Sequence, residues 1–239
     1  MVDDINAYLL RATTESVAKR APNRERLKKI IGAVDPRLPG VSVELDATTS
    51  TPALVAKGPG YKVYAVRWPV FEGVTAEGLL LEPDHAPLAR VVALPDADWS
   101  PEMLAGLAPG VDYAAQFARR LAENGCQVLV PVLIDRANAW SGVPAIRMTN
   151  QPHREWIYRM AFEAGRHIIG YEVQKVLAAV DWFTRENQSH SAPIAIAGYG
   201  EGGLLALYSA AVDQRIQAVM VSGYFQSRQE LWKEADKSG

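Results

Sequence analysis

Hydrophobic positions change their spacing along this chain, and each change marks a different kind of structure. Over residues 4–33 they recur at helical intervals with a break near Pro22, which predicts two short helices. The next stretch alternates apolar and polar positions between glycine and proline turns, as half-buried strands do. It predicts antiparallel strands at residues 41–45, 61–68 and 75–82.

From Val91 onward, segments typical of strands alternate with segments typical of helices. The strands are apolar along their whole length, as expected for a parallel sheet that helices cover on both faces. Three such crossovers predict an α/β fold with a doubly wound, mostly parallel sheet and an antiparallel N-terminal part. We expect a helical N-terminal arm over residues 1–40 and one α/β domain over residues 41–239. The predicted strands are 91–94, 126–133, 194–197 and 216–221, and the predicted helices are 110–124, 202–211 and a long pattern within 152–187.

Composition narrows the classes of function. The 239 residues carry a formal charge of −2 without interleaved basic and aromatic residues, so we expect no nucleic acid partner. One cysteine, Cys126, excludes an intramolecular disulfide and a thiol pair, and we predict neither a metal nor a cofactor. The sequence has no signal peptide and no apolar run of about 20 residues. We therefore expect no membrane partner and a cytoplasmic location for the chain as written.

Residues 194–207 have the layout of a nucleophile elbow, the sharp strand-to-helix turn G-x-S-x-G that presents a catalytic serine. Gly198 and Gly202 fill the two small positions, so the register places Gly200 where the serine should be. A frame shifted by one residue would put Tyr199 at a small position, and we reject it. Gly200 is therefore a degenerate nucleophile position, and glycine is expected to reach the positive φ of the turn without strain.

Glu201 follows the elbow at the start of a predicted helix. The backbone N–H of this position is normally one donor of the oxyanion hole, and it does not depend on the side chain. An anion site is therefore expected to persist here without catalysis. Two interpretations of the Glu201 carboxylate stand: a favourable interaction with the positive end of the helix, which we prefer, and a role as general base.

Ligands of open α/β sheets bind beyond the carboxyl ends of the strands, so residues that follow each strand are candidates for a site. Asp98 lies either near this cleft or, with Asp96, in a turn that caps a helix at Ser100, which we prefer. Arg136 and Asp135 either bind an anionic group or form a loop ion pair. The candidate ligand-binding residues are Asp98, Arg136, His153, Ser222 and Tyr224.

Several segments resemble the dienelactone hydrolase and acetyl xylan esterase branch of the α/β-hydrolases, and the resemblance covers residues 60–232. It implies the α/β-hydrolase fold and ester hydrolysis by a serine, an aspartate and a histidine in that chain order. The serine position falls on Gly200. The other two residues should follow a later strand, and the sequence ends at Gly239 without them. The segments are 68–70, 77–81, 93–98, 150–156, 198–203 and 222–225.

All four histidines precede the elbow, so none matches the family histidine by chain order. For His167, within a helical pattern, a place on the helix face with a local hydrogen bond is favoured over a role as base. For His153, at a predicted helix start, a position facing the cleft is the minority interpretation.

Three hypotheses for function remain. The first is a hydrolase with a shifted nucleophile, either Ser222 or a water held by Glu201 and Asp98. The second is a non-catalytic relative that keeps the cleft for a small-molecule ester, an anionic ligand or an interaction partner. The third is an incomplete domain that lacks its C-terminal strands and self-associates through an exposed sheet edge. In each of them we expect standard triad chemistry to be absent.

Overall fold

A mixed eight-stranded sheet organises the computed structural model, which describes residues 2–18, 23–136 and 153–225. Its strands lie in the order β1-β3-β4-β6-β5-β7-β8, and β2 pairs with β3. The strands are β1 (Glu44–Leu45), β2 (Leu54–Gly58), β3 (Tyr61–Phe71), β4 (Val74–Pro83), β5 (Arg90–Leu94), β6 (Gln127–Pro131), β7 (Ile194–Tyr199) and β8 (Ala218–Ser222).

Helices cover this sheet on both faces. The helices of the described residues are α1 (Val2–Ala18), α2 (Arg24–Ile30), α3 (Pro101–Ala105), α4 (Phe117–Glu123), α5 (His153–Glu163), α6 (Ile168–Glu186) and α7 (Glu201–Val212). The pairs β5–β6, β5–β7 and β7–β8 are parallel, whereas β4 pairs antiparallel with both β3 and β6. This arrangement confirms the α/β class, with an antiparallel N-terminal part joined to a parallel one.

Two apolar clusters lie on opposite sides of the sheet. The larger packs α6 and α7 against the sheet and contains Trp68 and Phe183, both with no exposed surface. The smaller packs α3 and α4 against the other face. Every residue of β5 and β6 is buried, which explains why these strands are apolar after their first residues, Arg90 and Gln127, rather than alternating.

Three local predictions differ from the structure. The helical pattern within 152–187 is two helices, because Gly165 adopts φ +67° and ends the first. His167 is the N-cap of α6, where its Nδ1 accepts from the N–H of Ile169 at 3.1 Å, so the expected local hydrogen bond is present but the residue caps the helix rather than lying on its face. The helix expected over 110–124 begins only at Phe117, since Asp112 caps a separate short 3₁₀ turn.

Residues just after position 30 pack against the rest of the structure, whereas the apolar side chains of α1 are exposed. Ile31 and Ala33 belong to the larger apolar cluster, and Arg37 donates to Asp181 of α6 at 2.7 Å. In α1, by contrast, Ile5 and Leu9 are half exposed. The division of the chain at residue 40 stays a prediction. Of the helices within residues 2–18, 23–136 and 153–225, none is both long and apolar enough to cross a membrane.

Candidate functional site

The elbow after β7 has the backbone of a nucleophile turn with a glycine at its tip. Gly200 adopts φ +57° and ψ −123°, and its N–H donates to the carbonyl of Ser222 at 2.9 Å. A Cβ at Gly198 would lie 2.0 Å from the carbonyl oxygen of Gly202, and one at Gly202 would lie 2.2 Å from that of Leu94. Backbone atoms cannot give way there, so strand and helix pass this closely only because both positions are glycine.

The carboxylate of Asp96 fills the space above Gly200. A Cβ at Gly200 would lie 2.5 Å from Asp96 Oδ1, and the same oxygen accepts from the N–H of Glu201 at 2.8 Å. An internal carboxylate thus occupies the place of a nucleophile side chain and engages the expected oxyanion donor. The anion site at the start of α7 is therefore already filled from within the chain.

Asp96 was missing from the predicted site residues, although part of the turn interpretation holds. Its carbonyl accepts from the N–H of Trp99, and Ser100 caps α3 by accepting from the N–H of Met103. The order of the strands could have indicated that Asp96 lies near the elbow. Asp96 follows β5, whose neighbour β7 leads directly into the elbow, and Leu94 pairs with Gly198. A carboxylate two residues beyond that pair lies at the same edge of the sheet as Gly200.

Arg136 connects the residues after β5 and β6 with the elbow. Its Nη1 lies 2.8 Å from Asp98 Oδ2 and 3.5 Å from Asp96 Oδ2, and its Nη2 lies 3.8 Å from Glu201 Oε2. Partial burial opposes its charge, but the hydrogen bond to Asp98 and the charges of both aspartates outweigh that effect and raise the pKa of Arg136. The structure thus places Asp98 beside Arg136, in an ion-pair network rather than as an isolated carboxylate.

Glu201 is held on a second side by Arg154, which the sequence interpretation missed. The two side chains form an ion pair and are 15% and 13% exposed respectively, and Arg154 also donates to the carbonyl of Ile134 at 2.8 Å. Glu201 therefore faces two guanidinium groups, and its helix-end position is only part of its environment. Arg154 follows His153 at the first turn of α5, so its place in the chain gave little hint of this contact.

The remaining predicted residues lie around this network. His153 Nδ1 lies 3.5 Å from Asp135 Oδ1, and His153 Nε2 is shielded from solvent without a hydrogen-bond partner. Ser222 ends β8 and reaches the elbow through its backbone carbonyl, as described above. Tyr224 packs its ring against the larger apolar cluster and meets Phe225 edge to face. The roles assigned to these residues stay predictions.

Two aromatic rings border the elbow. Trp99 and Tyr199 stack with their centroids 4.9 Å apart and their planes at 5°, and Tyr199 is 40% exposed. Tyr199 also covers Gly223, where a Cβ would lie 2.7 Å from the ring. The elbow is thus flanked by apolar ring surface on one side and by the ion-pair network on the other.

The site contains several charged side chains, but the described part of the chain shows no metal-binding group. Asp96, Asp98 and Glu201 converge on two arginines. Residues 2–18, 23–136 and 153–225 contain no group of three or more acidic, histidine or cysteine side chains that could hold a metal ion. The arrangement supplies hydrogen-bond donors and ion pairs, with no hydroxyl at the tip of the elbow.

A family model described as the dienelactone hydrolase family matches residues 77–237. The chain belongs to the dienelactone hydrolase family. The matched residues include the elbow, with Gly200 at its tip, and every site residue named above. No curated protein matches the chain.

Solved structures share the fold of this dienelactone hydrolase family member at low sequence identity. One described as a candidate acetyl xylan esterase from Bacteroides fragilis is 18% identical over 82% of this chain and 51% of its own, with a TM-score of 0.60. Acetyl xylan esterase from Paenibacillus sp. R4 is 17% identical over 91% of this chain and 62% of its own, with a TM-score of 0.53. The chain therefore spans between half and two thirds of the length of these structures.

Proposed function

We propose that this member of the dienelactone hydrolase family is a non-catalytic ligand-binding domain, in which the elbow no longer carries out hydrolysis. The observation that carries the proposal is the Asp96 carboxylate above Gly200. A nucleophile is missing at the turn, and an acidic side chain engages the N–H that would stabilise an oxyanion. The absent nucleophile and the occupied N–H both support a loss of acyl-transfer chemistry at the elbow.

A hydrolase with a shifted nucleophile is the competing proposal, and the contacts of its candidate bases argue against it. A water-activating carboxylate needs an oxygen directed at the water. Glu201 is paired with Arg154 and lies near Arg136, and Asp98 is paired with Arg136. The hydroxyl of Ser222 lies at the end of β8, and the structure shows only its carbonyl in contact with the elbow.

The test is the hydrolysis of 4-nitrophenyl acetate. We expect the wild-type rate to equal the protein-free rate and to be unchanged by Glu201→Gln, with Glu155→Gln on the exposed side of α5 as the matched control. The double variant Asp96→Ala/Gly200→Ser, which clears space for the serine, should show no burst of nitrophenolate, because Glu201 and Asp98, the candidate bases among the described residues, are held by arginines. Wild-type turnover that Glu201→Gln or Ser222→Ala abolishes would overturn the proposal.

We also propose that the chain self-associates through the edge of β8. Four of the five residues of β8 are exposed, including Val219 at 45% and Met220 at 48%, Val221 is partly buried, and none of the five is charged. An apolar edge without charged side chains favours pairing with another strand. Sedimentation velocity should show a concentration-dependent dimer that Val219→Lys weakens. A monomer at all concentrations, unfolding cooperatively, would contradict both self-association and an incomplete domain.

A further inference from the structure

Strand β8 has a free edge, which is the edge that faces away from β7. The strand stands last in the order of the sheet, and among residues 2–18, 23–136 and 153–225 only β7 pairs with it. Four of its five side chains are exposed, and none of the five is charged. An edge of this kind presents main-chain donors and acceptors to another strand.

The contacts with β7 show which main-chain groups of β8 point to the free edge. The carbonyl of Ser222 accepts from the N–H of Gly200, so Ser222 points towards β7. The N–H and C=O of one residue in a strand point the same way, and those of the next residue point the opposite way. Met220 therefore also points towards β7, whereas Val219 and Val221 each present an N–H and a C=O to the free edge.

The start of the β7–β8 ladder leads to the same result. The carbonyl of Ile194 accepts from the N–H of Gln217, which directly precedes β8, so Ile194 and the alternate residue Ile196 point towards β8. Ile196 is the register partner of Val219, and a residue in a parallel ladder bonds to the two neighbours of its partner. The polar groups of Val219 itself therefore point away from β7.

The sequence of β8 is nearly the same in both directions. Val219 and Val221 flank Met220, and the outer positions are the small residues Ala218 and Ser222. When two such strands pair antiparallel about a two-fold axis at Met220, Val219 of one lies opposite Val221 of the other. The outward-pointing groups then meet each other, and each of the two valine pairs exchanges two main-chain hydrogen bonds.

We infer that two copies of the chain join through β8 in an antiparallel pair centred on Met220, which makes one continuous sheet from two. The inference rests on the self-association proposed above and adds its symmetry and register. A register in which Val219 meets Met220 would place free groups opposite groups already directed at β7. A register centred on Val219 would leave three residues of each strand in contact instead of five.

The pairing also concerns the elbow. Ser222, at the end of β8, accepts from the N–H of Gly200 at the tip of the turn. In the inferred dimer, β8 is held by β7 on one edge and by the second copy on the other. The strand that supports the elbow is therefore part of the interface.

Disulfide cross-linking tests the register on the full chain. Cys126, the one cysteine of the sequence, is first replaced by alanine. Met220→Cys should then form a disulfide-linked dimer on mild oxidation, because the Cα atoms of the central pair lie about 4.5 Å apart, within the reach of a disulfide. Val219→Cys is the matched control and should run as a monomer on a non-reducing gel, because strand rise and spacing place its two copies about 8 Å apart.

Amide hydrogen exchange of the wild-type chain tests the same register without a substitution. As the protein concentration rises, exchange at Val219 and Val221 should slow about three- to tenfold, the effect of one neutral hydrogen bond. The amide of Met220 points towards β7 and should change less.

The contrary results separate the register from the association itself. A concentration-dependent dimer in which Val219→Cys cross-links, or in which neither variant does, overturns the inference and leaves self-association in place. A monomer at all concentrations overturns both. Slow exchange at Val219 and Val221 that does not depend on concentration assigns the edge to another segment of the same chain and also overturns the inference. The nitrophenyl acetate assay remains the separate test of lost hydrolysis.

Discussion

Replacing Gly200 with alanine tests whether the elbow and Asp96 depend on each other. The new Cβ would face two costs, of which the first is the backbone at φ +57° and ψ −123°. For a residue with a Cβ, such a conformation costs about 1–3 kcal/mol. The second is the approach of 2.5 Å to Asp96 Oδ1, which requires the carboxylate to leave the N–H of Glu201.

A hydrogen bond to a charged group is worth about 1.5–3 kcal/mol, and Asp96 recovers part of that through water because its side chain is 26% exposed. We therefore expect Gly200→Ala to lower the free energy of unfolding by about 3–4 kcal/mol, combining strain with a partly compensated hydrogen bond. Gly73→Ala is the matched control. Gly73 has φ +72° with nothing within 4 Å of its Cβ position, so it should show strain alone, about 1–2 kcal/mol.

Urea unfolding followed by tryptophan fluorescence measures all variants of a double-mutant cycle. In the background of Asp96→Ala the cost of Gly200→Ala should fall to the strain alone, which corresponds to a coupling of about 1–2 kcal/mol between neighbouring residues. If Gly200→Ala costs no more than Gly73→Ala, or if the two changes are additive, Asp96 does not occupy the elbow as described.

Three further predictions concern the surroundings of the site. Glu172 is 1% exposed and pairs with Lys175 at 2.6 Å. Glu172→Gln keeps an acceptor for the N–H of Ile134 but removes that charge, so it should destabilise the protein by about 1–3 kcal/mol in urea unfolding. An unchanged midpoint would show that the ion pair is dispensable. Burial raises the pKa of Asp213, but hydrogen bonds from Arg215 and its charge outweigh that effect, so the pKa in the folded protein lies below 3.8. The resulting stabilisation is present above pH 3.8 and is lost as the pH falls through the folded-state pKa. Asp213→Asn should therefore flatten the acid limb of a curve of stability against pH. Burial and the charge of Arg154 lower the pKa of His167 below 6.5, so its contribution to stability is full above pH 6.5 and falls as the pH drops below it. His167→Asn replaces the Nδ1 acceptor of the N-cap with an amide oxygen and should remove that slope. A slope that persists would assign it to another group.

The sheet was predictable because burial on both faces leaves an unmistakable pattern. Runs such as 91–94 and 194–197 are apolar at every position, and both are strands of the parallel part. The elbow was recognisable for a related reason, since Gly198 and Gly202 are imposed by backbone contacts under 2.5 Å. Where a pattern reflects steric necessity, one sequence suffices to identify it. The strand β2 was missed because its residues alternate only between partly buried and exposed.

The contacts of the site were far less predictable. Sequence placed Asp98 and Arg136 after neighbouring strands, but their pairing depends on how two loops approach each other in space. Asp96 was assigned to a turn and makes that turn, yet its carboxylate also reaches the start of α7, 105 positions away in the chain. Long-range contacts between polar side chains leave no periodic signal, so these partners could not be read from spacing.

The position of β5 between β6 and β7 indicates which of these two strands pairs with it first during folding. Its buried Arg90 contacts Gln127, 37 positions later, at the start of β6, and the backbone of His190, 100 positions later, just before β7. Closing the longer loop costs about 0.9 kcal/mol more by chain entropy, so β5 and β6 are expected to pair first. The elbow then arrives after β5 and β6 on a growing chain. Until β7 docks, Asp96 lacks the N–H of Glu201, and of the contacts described for its carboxylate only that with Arg136 can form.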